Sequence, residues 1–271
     1  KDTTDRNRTS PFAFTGNKFE FRMPGSSLSV SGPNVVLNTA VAQALREFYD
    51  ELKDAAPDQM DSAVHELVKR AIKKHKKVIF NGNGYTDEWV AEAEKRGLYN
   101  LRSTPEALPQ MVAEKNIRLF TSHNIFTEGE VRSRYTILLE NYCKTLHVEA
   151  KTMGMMVRQQ FLPAVLSTMN SLAGDIAACK AVAATVPCGA QQGELETLAG
   201  YYQEITAAQK KLEKDLAQAE ELGNGQEAAC FYRDTILPDM DAVRKGADAA
   251  EAYLPAGSLP YPDYTELLFS V

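Results

Sequence analysis

Residues 195–222 read LETLAGYYQEITAAQKKLEKDLAQAEEL, and residues 223–225 read GNG. Leu195, Leu198, Tyr202, Ile205, Gln209, Leu212 and Leu216 step by three and four, the seam spacing of a coiled coil. Gly223-Asn224-Gly225 interrupts the helix, and Ile236, Met240, Val243, Ala247, Ala250 and Leu254 then resume the same period. Two such stretches about a short turn predict an antiparallel helical hairpin. The stripe could instead face another subunit; the turn favours the internal hairpin. Only the likeness of these two helices suggests a repeat, and no internal duplication is evident.

Outward from this hairpin the helical pattern continues. From about Thr127 to Val182 apolar residues keep the helical period, with Val131, Tyr135, Leu138, Tyr142 and Leu146 on one stripe. Pro163 should end or kink that helix, because it lacks an N–H and crowds the preceding turn. Pro33-Asn34 is a start signal for a helix carrying Leu37, Val41, Leu45, Phe48 and Leu52 on one face. Asp61 or Ser62 opens a second, with Val64, Leu67, Ala71 and Ile72 aligned. Thr86-Asp87 caps a helix running to about Arg96, and Ser103-Thr104 with Pro105 opens a short one. Lys77 to Gly84 (KVIFNGNG) reads as a short strand entering a Gly-rich turn.

The chain has 271 residues, of which 44% are hydrophobic, so a sizeable core can be buried. A formal net charge of −6 with mixed signs argues against a nucleic-acid binder, which would need a basic stripe. Cys143, Cys179, Cys188 and Cys230 form no C-x-x-C pair, and the expected compartment is the reducing cytoplasm. Apolar runs are short and broken by charge, so no membrane span is expected. The chain opens KDTTDRNR without a methionine and leads directly into a dense motif, so a longer parent polypeptide is expected.

That motif lies in residues 1–32, rich in Thr, Ser, Pro, Gly and Phe, which read as loop, strand, loop. In a strand over Asn17–Met23, Phe19, Phe21 and Met23 share one face and Lys18, Glu20 and Arg22 the other. A row of plus, minus, plus in a closed site needs a partner for each charge. A divalent metal would suit Glu20, and carboxylate or phosphate oxygens would suit Lys18 and Arg22. The plainer alternative is a strand face wetted by solvent.

The stretch DRNRTSPFAFTGNKFEFRMPGSS closely resembles the C-terminal active-site signature of type III glutamine synthetases. Asn7-Arg8-Thr9-Ser10 is similar to the family's N-R-x-S loop, and Lys18-Phe19-Glu20-Phe21-Arg22 to its R-I-E-x-R strand, with Lys for the first Arg. The resemblance runs on through FNGNGYTDEW, EKRGL and the terminal YPDYTELLF. It implies ATP-dependent amidation of glutamate by ammonia through γ-glutamyl phosphate, with Mg2+ or Mn2+, in a cytoplasmic ring-shaped homo-oligomer. It further implies that Glu20 ligates metal, Arg22 binds glutamate and the transferring phosphoryl group, and Arg8 contacts ATP phosphate. Lys18 would be a further ATP contact. The family's second arginine, five residues after the first, falls here at Ala13, so nucleotide contacts of that stretch do not transfer. The preceding strands and most metal-binding glutamates are missing, so this chain alone is expected to be inactive. The alternative is a helical scaffold, oligomerisation or regulatory module with no catalytic role of its own.

Other features read as structural. Asn81-Gly82-Asn83-Gly84 lacks the third glycine of a dinucleotide turn and the lysine of a P-loop. Lys73–Lys77 complement a helix C-terminus. His65, His75, His123 and His147 have no ligand spacing, and the Met153, Met155, Met156 cluster reads as ordinary packing. The expected architecture is mainly α. A short β piece of a catalytic domain (1–32) is followed by a helical C-terminal domain with long antiparallel helices (33–257) and an extended tail (258–271).

Overall fold

In chain order, the computed structural model has two short strands, β1 (Phe12–Phe14) and β2 (Phe19–Phe21), followed by helices. These are α1 (Ser31–Leu52), α2 (Met60–His75), α3 (Asp87–Lys95), α4 (Thr104–Ala107), α5 (Glu114–Ser122), α6 (Glu128–Met156), α7 (Leu162–Val182), α8 (Gly189–Leu222), α9 (Gln226–Phe231), α10 (Leu237–Glu251) and α11 (Tyr264–Phe269). The structure describes residues 12–14, 19–21, 29–80, 83–84, 86–262 and 264–269. They fall into two units: residues 1–102 with 109–134, and residues 103–108 with 135–271.

In the first unit β1 and β2 pair antiparallel, with Phe12 opposite Phe21, Ala13 opposite Glu20 and Phe14 opposite Phe19. Ile117 and Phe120 of α5 and Val131 of α6 form a small core, against which Val35, Met111, Val112 and Phe126 pack. α3 starts where Thr86 accepts a hydrogen bond from the Trp89 N–H at 3.4 Å, as the capping signal predicts. The expected strand at Lys77–Gly84 is not formed over its described part: Lys76–Val78 make a 3-10 turn, and Ile79 and Phe80 are irregular. The reason is local. Phe80 stacks on Trp89 at 3.8 Å, and Arg96 donates to the carbonyls of Lys77 and Ile79 that a neighbouring strand would have used. Asn81, Gly82 and Tyr85 lie outside the described residues. α5 has no counterpart in the sequence reading, because its capping residue is Ala113, whose side chain carries no signal.

The second unit is built on α8. Leu198, Ile205, Gln209, Leu212 and Leu216 are buried along it, and α10 returns antiparallel with Val243 and Ala250 buried, as the seam predicts. Gly223, at φ 75°, occupies the left-handed region that a glycine reaches without strain. α8 and α10 approach tightly at Gly246, where an added Cβ would lie 2.9 Å from Ile205 Cγ1.

Pro163 neither ends nor simply breaks the long helix. Residues Val157–Phe161 widen into a π turn in which the Leu162 N–H bonds to the Val157 carbonyl, and α7 follows with Pro163 in its first turn. The same device recurs at Tyr232–Ile236 before Pro238, with the Leu237 N–H bonded to the Tyr232 carbonyl. A proline offers no N–H to the carbonyl four residues back and crowds it. One extra residue in the turn relieves the crowding and lets the helix continue. The shift also keeps Val157, Phe161, Tyr232 and Ile236 in the core. On α6, Leu139 and Cys143 take buried positions, and Leu138 is exposed. α10 stops at Glu251, short of residue 257, and where an extended tail is expected residues Tyr264–Phe269 are helical.

One buried charge crosses the hairpin. Asp239 on α10 is 5% exposed and accepts from the Lys211 ammonium of α8 at 2.5 Å; Lys211 also reaches Asp215 at 2.8 Å. Its second oxygen, Oδ2, is buried with no hydrogen-bond partner. Burial pushes the Asp239 carboxyl above the ordinary carboxylate range, against the pull of Lys211, while Lys211 holds Asp215 below that range.

Two predictions follow from this packing. Gly246→Ala should lower stability by about 1–3 kcal/mol despite the better helix propensity of alanine, because Ile205 must move; chemical denaturation measures it. Asp239 keeps its proton in the folded state where the unfolded chain has released it. Its contribution is therefore full below about pH 4 and is lost as pH rises through its folded pKa. Asp215 acts oppositely, contributing above its ordinary pKa and losing that contribution as pH falls through its lowered one. Asp239→Asn removes the first effect, so the decline in urea midpoint from pH 4 to 7.5 should flatten.

Candidate functional site

The charged strand proposed from sequence is partly visible. β2 holds Glu20 at its centre, half-buried, and its backbone pairs with Ala13. The register pairs Phe12 with Phe21, Ala13 with Glu20 and Phe14 with Phe19 along the backbone. Ala13, where the family pattern carries its second arginine, is thus Glu20's cross-strand neighbour. Arg8, Lys18 and Arg22 lie outside the described residues, so Glu20 is the one predicted site residue whose place can be stated.

Glu20 is a single carboxylate, and among the described residues no group of three or more His, Cys, Asp or Glu side chains could hold a metal ion. One oxygen donor fits a hard cation such as Mg2+ or Mn2+ in kind but not in number, since such ions take six or so oxygen ligands. The remaining donors would come from other parts of a larger site.

Elsewhere two further polar clusters have internal partners. His147 Nδ1 lies 3.0 Å from the Tyr232 hydroxyl and its Nε2 lies 3.3 Å from Glu220, which Lys151 also reaches at 2.9 Å. This is the satisfied histidine expected from sequence. Its partners, 73 and 85 residues away, carried no local signal. Burial raises the Tyr232 phenol, and burial likewise raises the Cys143 thiol, which keeps it protonated and unreactive. Arg233 joins Asp234 at 2.6 Å, Glu106 at 3.3 Å and the Ser103 hydroxyl at 3.3 Å, tying α4 beside the second π turn. Ser103 and Glu106 also close the cap of α4 through the Ser103 N–H, at 3.1 Å.

Met153, Met156, Val157, Phe161 and Met240 line a groove of about 580 Å3 in the second unit, with Tyr261 of the tail along its edge. Met153 packs on the core while Met155 is half exposed, so the methionines are partly packing, as read from sequence, and partly groove wall. Arg244 on the rim pairs with Asp248 at 2.7 Å. No helix among the described residues is long and apolar enough to cross a membrane.

Comparison with known proteins agrees with the N-terminal motif. Residues 63–180 match the family described as the glutamine synthetase C-terminal domain. A glutamine synthetase of Butyrivibrio fibrisolvens is 42% identical over 271 residues, covering 100% of this chain and 39% of that protein. A type-3 glutamine synthetase of Dictyostelium discoideum is 38% identical, covering 99% of this chain and 37% of that protein. A glutamine synthetase of Bacteroides fragilis (strain YCH46) is 32% identical, covering 99% and 38%. The chain thus spans about two-fifths of the length of these relatives. The chain is thus similar along its whole length to part of these glutamine synthetases, and over residues 63–180 to their C-terminal domain.

Proposed function

We propose that this chain supplies the last active-site elements of a glutamate–ammonia ligase, which joins ammonia to glutamate at the expense of ATP. The observation that carries the proposal is Glu20, a half-buried carboxylate at the centre of a paired strand, inside the motif that resembles the family's signature. A solvent-wetted strand face gives no reason for that motif. In the proposed reaction glutamate is phosphorylated to γ-glutamyl phosphate, and ammonia then displaces phosphate.

The residues take distinct roles. Glu20 would be one ligand of a divalent ion, Mg2+ or Mn2+, whose charge would neutralise the nucleotide's phosphates. Arg22 would bind glutamate and steady the transferring phosphoryl group with its planar fork of donors. Arg8 would contact ATP phosphate and offset charge that grows as the phosphoryl group moves. Lys18 would add a further cation on the nucleotide. The parent enzyme would be a cytoplasmic ring of identical subunits.

The other metal ligands would lie in the three-fifths of the relatives' length that this chain does not span. The isolated chain should therefore form no glutamine. A second reading, a helical scaffold or oligomerisation module, is favoured by the dominance of helix and by the apolar helical faces left open in the first unit.

Glu20→Ala in the full-length protein separates the two readings. Loss of glutamine formation by about 10²–10³-fold, with a raised Mn2+ requirement and unchanged assembly size, is expected from a lost metal ligand. Near-normal activity and an unchanged metal titration would leave the strand a structural element and the scaffold reading standing.

A further inference from the structure

α1 is turned inside out. The residues it directs toward its own unit are largely polar: Gln43 Oε1 meets His123 Nε2 at 2.7 Å, Arg46 reaches the Ser122 carbonyl at 3.4 Å, and Thr39 is buried. Val35 adds an apolar contact to the small core on that side. Of the stripe that reads from sequence as a core face, Leu37 and Leu52 are half-buried, while its middle points the other way. Val41 is 55% exposed, Leu45 61% and Phe48 37%. α2 buries Leu67 but leaves Val68 46% and Ile72 53% exposed, and its Arg70 pairs with Glu51 of α1. Apolar side chains at helical spacing on two linked helices mark a surface that has a partner.

We infer that these faces of α1 and α2 are the docking surface for the rest of the same synthetase subunit, the part of the family's polypeptide that this chain does not span. The inference rests on the family assignment and on three observations. The relatives extend to roughly two and a half times this chain, so in a protein of their length such a partner would be part of the same covalent chain. Ser31, the start of α1, follows Phe21 of β2 by ten residues, a reach of no more than about 35 Å. A two-stranded hairpin is marginal by itself, so the strands belong to a larger sheet, and α1 is tethered beside it. That tether gives a partner in the same subunit a high effective concentration over one in a second copy. Finally, the surface is rimmed by both signs, Glu47, Asp50 and Glu51 on α1 and Lys69, Lys73 and Lys74 on α2, which suits the mixed polar rim of a protein contact better than a uniformly anionic lipid surface.

A photo-crosslinking amino acid in place of Leu45 of the full-length protein, in a mixture of light and 15N-labelled subunits, tests this. The expected product links position 45 to a peptide outside residues 1–271, within one isotopic chain. Links between light and heavy chains, links to peptides of this region, or no link would overturn the inference. Leu45→Glu with Ile72→Glu should also lower Tm of the full-length protein by several degrees, whereas Val182→Glu, at a position 88% exposed, should not. Equal, negligible shifts from both would count against it. Glutamine formation is measured separately. A wild-type protein that makes no glutamine yet gives the same-chain link removes the catalytic reading alone; full activity without that link removes the docking surface alone.

Discussion

The approach of α10 to α8 at Gly246 and Ile205 is the constraint on which the second unit depends. At that crossing there is no room for a Cβ, so two long helices can lie side by side with Leu198, Leu212, Val243 and Ala250 closed between and around them. Close approach maximises apolar contact along the whole seam, and each buried aliphatic side chain contributes about 1.5–3 kcal/mol relative to exposure. α6 and α7 then close the other side of α8 with Leu139, Cys143, Val157, Phe161 and Val165. The polar ties between helices are subordinate to this packing. Lys151–Glu220 and Arg158–Glu213 join exposed side chains, and pairs of that kind contribute little in water. Gln209 differs, because it is buried and donates to the Gly154 carbonyl at 3.1 Å, meeting a need that the helix itself cannot.

The two π turns show how prolines are carried inside long helices. Each places its proline within the first turn of the following helix, where a missing N–H matters least, and spends one extra residue to pass it. The consequence reaches the core. An added residue rotates everything downstream by about 100° relative to an uninterrupted helix, which is why a stripe projected straight through Pro163 would lose its alignment. Phe161 and Ile236 are buried because the π turns reset that alignment.

The first unit is organised on a different logic. Its described core is small, built around Ile117, Phe120 and Val131, and its longest helix uses polar groups against its own neighbours. The catalytic residues proposed for the N-terminal motif and the open faces of α1 and α2 therefore tell one story. In the proposed reading both would be halves of contacts whose other halves lie in the part of the relatives' length that this chain does not span.

Much of this was legible in the residues themselves. The three-four spacing of Leu195–Leu216, the GNG turn, the Thr86 and Ser103 caps and the alternation about Glu20 are local patterns, and local geometry alone converts them into helix, turn or strand. The family resemblance of residues 7–22 was equally local. The strand expected at Lys77–Gly84 was not formed, because Trp89 and Arg96, outside the window, claim its ring and its carbonyls. Helical spacing likewise says that Val41, Leu45 and Phe48 share a side but not what that side meets. Periodicity records which residues avoid water together. Only the tertiary arrangement decides whether this chain or another part of the protein covers them, since burial belongs to pairs of surfaces and a sequence lists one at a time.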